Sequence, residues 1–231
     1  GIYRKFSPSI AYFNYKKVKN LFSLGSQFFI IQIAVLIIIQ TDALIISHAL
    51  SPAEVTPYNI VFRYFGVISM LAAVLLSPFW SAYTDALVKE DYIWMKNTIK
   101  FQLKAFIFVL FALIILVFIS RPVIHFWLQN SIILPLGLII GMACYNLLLV
   151  WSNIFSSFLN GVSRTRLQIY TSFIGMIINI PLSIFLARYY GSAGVIFATC
   201  ISISFFAIFG AYDTYKYFKS TITSDLEITN R

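Results

Sequence analysis

Charge is what this sequence has least of. Only 11% of its 231 residues are Asp, Glu, Lys or Arg, against roughly a quarter in a soluble domain. That leaves too little polar surface to coat a water-soluble globule. Cysteine and histidine are almost as scarce, with two of each. Cys144 and Cys200 fall inside apolar stretches, where a thiol behaves as a small hydrophobe, and no disulfide is expected. His48 and His125 have no Cys or carboxylate nearby at ligand spacing, which argues against a metal site. There is no phosphate-cradling loop, no HExxH and no pair of catalytic carboxylates, so neither an enzyme nor a cofactor is predicted. GSAG, at residues 191–194, is only loosely like an intramembrane serine protease motif. Its Ser is second rather than third and no His lies in a neighbouring span, so it reads as a turn opening the last span. A secretory signal is also missing. The first twenty residues are basic and aromatic, without an apolar core followed by a small-residue cleavage site. The first residue is Gly1 rather than Met, which predicts a segment of a longer chain, although removal of a tag would look the same.

What the sequence has in abundance is apolar side chains: 60% of residues are hydrophobic and 18% aromatic. They fall into six runs, at about Leu21 to Ser47, Tyr58 to Tyr83, Thr98 to Ser120, Ile132 to Phe158, Leu167 to Arg188 and Ala193 to Tyr212. Each is long enough to cross about 30 Å of hydrocarbon as a helix. Membrane strands would instead alternate in polarity over about ten residues, and no run does. The predicted fold class is all-α: a polytopic membrane protein with a six-transmembrane-helix bundle over residues 21–212. A basic lead-in (1–20) precedes the bundle and a tail (213–231) follows it.

Fourteen of the 17 Lys and Arg lie on the side that holds both chain ends. Arg121 and Arg188 lie on the other side, and Arg63 is left inside a span. Basic residues mark the cytoplasmic side, so both ends are expected there. The net charge of +9 then reflects this bias and attraction to anionic lipid, and gives no reason to expect nucleic acid.

Within the apolar run IIIQTDALII sits Asp42. A charge at the centre of a span costs about 2.5–3.5 kcal/mol on insertion scales, so it needs a partner or water. With a short loop, HALSPAEVTP, joining spans one and two, Asp42 and Arg63 are expected at equal depth, roughly 9 Å below the outer surface at 1.5 Å per residue. Two readings stand. Either the pair lines a wet path and touches a cargo or coupling ion, or it is a salt bridge fastening two helices. Other polar residues point to a cavity. Asn146, Asn153 and Asn160 recur every seven residues on span four, a slowly drifting stripe. Arg63, Ser77 and Thr84 keep the same register on span two, with Met70 in the fourth place. Gln32 and Gln40 on span one and Asn179 on span five add to them. Amides facing lipid would leave donors unsatisfied, so these faces are expected to meet other helices or water. The alternative is interhelical glue, worth about 0.6 kcal/mol per contact. Pro78 and Pro181 are expected to kink their spans. Gly137 and Gly141, in GLIIG, form a close-packing motif. The basic, aromatic segment from Val88 to Lys104 suits a helix lying at the interface.

Longer stretches carry a family likeness. NLFSLGSQFFIIQIAVLIIIQTDALIISHAL resembles the seventh helix of polysaccharide flippases. YNIVFRYF followed by LSPFWSAYTDAL resembles the eighth helix and its exit. FLNGVSRTRLQIYTSFIGMIINIPLSIFLARYYGSAGVIFATCIS resembles the region of helices ten to twelve. Together these pieces cover most of residues 20–212, and the likeness is to the O-antigen and capsule flippases of the multidrug/oligosaccharidyl-lipid/polysaccharide exporter superfamily. The resemblance implies two six-helix bundles in a V, of which this chain is the C-terminal one, so a missing N-terminal six-helix half is the implied partner. It also implies a bacterial inner-membrane location and a lipid-linked oligosaccharide on undecaprenyl pyrophosphate as cargo. An Arg in the groove suits pyrophosphate, because its planar fork matches phosphate oxygens, and Arg63 is the candidate. Asp42 would hold Arg63 in place, or exchange H+ or Na+ as the groove changes face. Gln40, Asn146, Asn153 and Asn179 complete the candidate substrate-binding or coupling set. Two alternatives are an ion-coupled multidrug exporter of the same superfamily and a membrane enzyme of polysaccharide assembly. The short outer loops count against the enzyme.

Overall fold

A polar backbone in hydrocarbon must satisfy its hydrogen bonds within its own segment, and this chain does so with helices throughout. The computed structural model describes residues 15–129 and 134–229. The predicted basic lead-in falls largely outside them, at residues 1–14, and from Tyr15 on it is already helical. In chain order the helices are α1 (Tyr15–Ala49), α2 (Pro52–Val88), α3 (Tyr92–Leu128), α4 (Leu136–Gly161), α5 (Arg166–Tyr190) and α6 (Ser192–Thr229). All six are long and apolar enough to cross a membrane, and no strand occurs among the described residues. The chain is a multi-pass, all-helical membrane protein, as its runs predict. α6 continues through the segment read as a tail.

The bundle has two ends. At the terminal face lie the start of α1 and the end of α6. There Thr84 of α2 donates to the Gly161 carbonyl at the end of α4 (3.1 Å), and Thr165 hydrogen-bonds Gln27 of α1. Arg164 pairs with Asp213 of α6 at 3.6 Å and sits 5.6 Å from the Tyr217 ring centroid. At the far face, Ser192 of α6 reaches Glu54 of α2 at 3.5 Å.

α4 and α6 are the central helices, and α3 is peripheral, with Phe108, Phe111 and Phe118 exposed. In lipid, helices associate by close packing rather than by leaving water, so small residues matter at the contacts. The GLIIG expectation holds on that ground. A Cβ at Gly141 would stand 2.5 Å from Ile196 of α6, and one at Gly137 3.2 Å from Ala193. Two apolar cores result. The far-face core holds Ile46, Phe65, Leu138, Met142 and Ile196. The terminal-face core holds Tyr83, Met95, Phe158 and Phe218, with Tyr83 edge-on to Phe158 at 5.3 Å.

Two expectations change. The segment from Val88 to Lys104 is not a separate interfacial helix. It is the end of α2, a three-residue turn and the first turns of an unbroken α3. Asp91 caps α3 by accepting the Trp94 N–H at 2.9 Å. The second change is where α2 begins. Pro57 made the stretch after Ser51 look like loop, but α2 starts at Pro52, a position that needs no N–H, and runs through Pro57.

Candidate functional site

The earlier start of α2 decides what meets Asp42. Asp42 lies seven residues before the end of α1, and Tyr58 six residues after the start of α2, so these two stand at equal depth. Arg63 is five residues further along, about 7.5 Å deeper and about 140° around the helix. Asp42 and Arg63 therefore do not pair. Arg63 is exposed on the outer surface of α2, and ion pairs form elsewhere, at Lys89–Asp85 and Arg164–Asp213.

Asp42 instead closes a cluster drawn from four helices. It is only 2% exposed. The Tyr58 hydroxyl donates to its Oδ2 at 2.8 Å. The Thr199 hydroxyl of α6 donates its single proton between Oδ1 (3.1 Å) and Oδ2 (2.8 Å). Asn179 of α5 then donates its Nδ2 to Thr199 Oγ1 at 3.0 Å. Tyr58, Thr199 and Asn179 are all buried. Neutral donors alone serve a carboxyl here, with no Lys, Arg or His within 4 Å among the described residues. A buried carboxylate without a cation is costly, and only these neutral donors offset that cost here. Asn179 Oδ1 and the hydroxyl of Ser183, one turn further along α5, are buried with no hydrogen-bond partner.

A cavity of about 220 Å³ with a mixed polar and apolar lining lies beside this cluster, toward the terminal face, between α1, α4, α5 and α6. Its lining includes Gln32, Ser152, Asn153, Ser156, Gln168 and Ser202. A shallower recess of about 190 Å³ between α2 and α4 shares Asn153 and Ser156 with it and reaches Ser77, Trp80 and Asn160. On the other side of Asp42, an open groove between α1 and α5 is lined by Thr41, His48, Ile184 and Arg188.

The structure thus brings two predicted site residues together, Asp42 and Asn179. Asn153 lines the cavity and the recess. Asn146 is buried, and its Nδ2 is used on its own helix at Met142 O (2.9 Å). Gln40 is exposed on α1. Arg63, Met70, Ser77 and Thr84 of α2 are all exposed, and Thr84 also donates to the Gly161 carbonyl of α4. Tyr58 and Thr199 were not predicted. Tyr58 reads as an interfacial aromatic, and Thr199 is one small hydroxyl among many, 157 positions from Asp42.

Removing the hydroxyls separates their roles. Thr199→Val leaves Asp42 Oδ1 and the Asn179 amide without a partner, with Tyr58 still on Oδ2, and is expected to destabilise by about 1–3 kcal/mol. Tyr58→Phe leaves Thr199 on the carboxyl and should cost about 1 kcal/mol. Thermal unfolding in detergent reads both, and a Thr199→Val midpoint no lower than that of Tyr58→Phe would contradict the arrangement.

Comparison with known proteins adds the following. The chain is 21% identical over 206 residues to a provisionally named O-antigen transporter of Salmonella typhi, covering 88% of this chain and 48% of the relative. It is 25% identical over 162 residues to a provisionally named O-antigen export protein of Yersinia pseudotuberculosis, covering 66% and 34%. A third match, 26% over 68 residues, is to a provisionally named O-antigen transporter of Salmonella typhimurium. The chain spans about half the length of these relatives or less. No family model matches it, and no solved structure does so significantly. In sequence, the chain is a relative of proteins named for O-antigen transport.

Proposed function

We propose that this chain is one half of a flippase that moves undecaprenyl-pyrophosphate-linked oligosaccharide from the cytoplasmic to the periplasmic leaflet by alternating access. The observation that carries this reading is the exposed polar stripe of α2. Arg63 is exposed on its outer surface in register with Ser77 and Thr84, inside a helix otherwise suited to hydrocarbon. The Ser77 and Thr84 hydroxyls are met by backbone carbonyls, but a guanidinium facing lipid is unfavourable, so this surface belongs against a wet groove. A second six-helix bundle, the N-terminal half, supplies the other wall. The terminal face is cytoplasmic, in the inner membrane, and its many basic residues meet anionic lipid. Arg63 receives pyrophosphate, and Asn153 and Gln40 offer amides to the sugar or to neighbouring helices. Asp42, with Asn179 in its hydrogen-bond chain, is the coupling site and exchanges H+ or Na+. The far-face connections, such as residues 50–51 and 191, are too short to carry an enzyme's catalytic groups, which supports transport over assembly chemistry.

Arg63 tests the groove. In the full-length protein, Arg63→Ala is expected to lower surface O-antigen at least about tenfold, the loss of about 1.4 kcal/mol of binding, while the amount of inserted protein stays unchanged. Arg63→Lys keeps the charge but loses the fork and should fall between. Wild-type export by Arg63→Ala would remove Arg63 from the path.

A further inference from the structure

The cavity beside Asp42 and the recess between α2 and α4 adjoin at Asn153 and Ser156, as one seam of mixed polar and apolar lining. We propose that this seam is a water-filled side path, by which the coupling ion reaches Asp42 from the groove face of α1 and α2. This rests on the reading of Asp42 as the ion site.

Three observations carry it. The first is continuity. The two spaces share Asn153 and Ser156. The recess opens at Ser77 and Trp80, both exposed on α2. The cavity ends at Ile38, Ile39 and Ser202, each within about one helical turn of Asp42 or Thr199. The second is chemistry. The cavity lining sets hydroxyls and amides among apolar side chains such as Val35, Leu149 and Phe206 and has no charged residue, so its polar groups can pass a hydrated cation or a proton without trapping it. The third is unmet hydrogen bonding. Ser152 Oγ, Asn160 Oδ1 and Gln168 Oε1 belong to residues that line the seam. All three are buried without a protein partner. Buried polar atoms of this kind are met by water, and about 220 Å³ holds several waters at about 30 Å³ each. The far-face groove is a poorer cation route, because Arg188 lines it.

The test uses the full-length protein in native membrane vesicles, with Cys144 and Cys200 replaced by Ala. Ser156→Cys probes the shared wall, Ser202→Cys the inner end, and Phe108→Cys, exposed on α3, the lipid side. A thiol reacts as its thiolate, which needs water, so a small hydrophilic methanethiosulfonate should modify the two seam positions at least about tenfold faster than Phe108→Cys. Ser156→Leu should slow modification at Ser202→Cys. A rate at Ser202→Cys equal to that of the lipid control overturns the path. Radiolytic hydroxyl footprinting of the unsubstituted chain guards against a misfolded variant. Tyr145, buried yet lining the cavity, should oxidise faster than the buried Tyr83, which lines neither space, and equal rates overturn the path. The coupling reading is judged separately by whether Asp42→Asn abolishes export. A dry seam with an inactive Asp42→Asn therefore defeats this inference alone.

Discussion

Full-length protein carrying Asp42→Asn is expected to insert and fold, yet to lose at least about tenfold of its O-antigen export, equivalent to about 1.4 kcal/mol or more in the limiting step. The asymmetry between folding and activity follows from the cluster's geometry. An Asn at this position keeps an acceptor oxygen for the Tyr58 hydroxyl (2.8 Å from Asp42 Oδ2). Its new NH2 can donate to Thr199, so the loss in stability should stay near the worth of one hydrogen bond, about 1 kcal/mol. What disappears is the group that can gain and lose a positive charge. Asp42 has only neutral donors around it, so on the proposed reading an uptake of H+ or Na+ would change the charge of a buried layer tying α1, α2, α5 and α6 together. A change of charge there costs or returns several kcal/mol, enough to bias one arrangement of the helices over another. Asp42→Glu should retain part of the activity, because it keeps the charge while crowding the site. Normal export by Asp42→Asn would reduce the cluster to a helix fastener.

Gly194→Ala is expected to cost about 3 kcal/mol or more, and to show as a lowered unfolding midpoint in detergent and less inserted protein. A Cβ at Gly194 would run into the backbone of α5, against the Leu186 carbonyl group and 3.0 Å from the Ala187 nitrogen. Nothing there is a flexible side-chain end that could turn aside. The single residue between the helices is Gly191, with φ +61° and ψ −146°, a conformation open essentially to glycine alone. The hairpin of α5 and α6 therefore has no slack to absorb a methyl group. Gly25→Ala is the control, since a Cβ at Gly25 meets nothing within 4 Å. A midpoint for Gly194→Ala equal to that of Gly25→Ala would contradict this packing.

The helix count and class were legible because the membrane leaves few options. A run of apolar residues long enough to span it must be a helix or part of a closed barrel. Helix ends were less legible, since apolarity reports the hydrocarbon segment and not the turns beyond it. α3 runs from Tyr92 to Leu128, several turns past the run that announced it. Pro57 had the same effect at α2, and the resulting shift of about one and a half turns put Arg63 where Tyr58 stands. Asp42 was legible because a carboxyl in an apolar run is conspicuous. Its partners were not. Thr199 and Tyr58 are ordinary residues for a membrane helix, and only the packing of α1, α2 and α6 brings them together. Asn179 was found by its amide, but its link to Asp42 passes through Thr199, a relation that no spacing along the chain encodes. That Arg63, Met70, Ser77 and Thr84 share a register on α2 was legible, because a seven-residue repeat on a helix keeps roughly one face whatever its neighbours are.

The most direct measurement is the leaflet distribution of lipid-linked oligosaccharide in the native host, with and without the full-length gene. The account predicts that loss of the gene makes the intermediate accumulate on the cytoplasmic leaflet, and that Arg63→Ala and Asp42→Asn fail to clear it. An intermediate distributed normally across both leaflets without the gene would contradict the flippase reading.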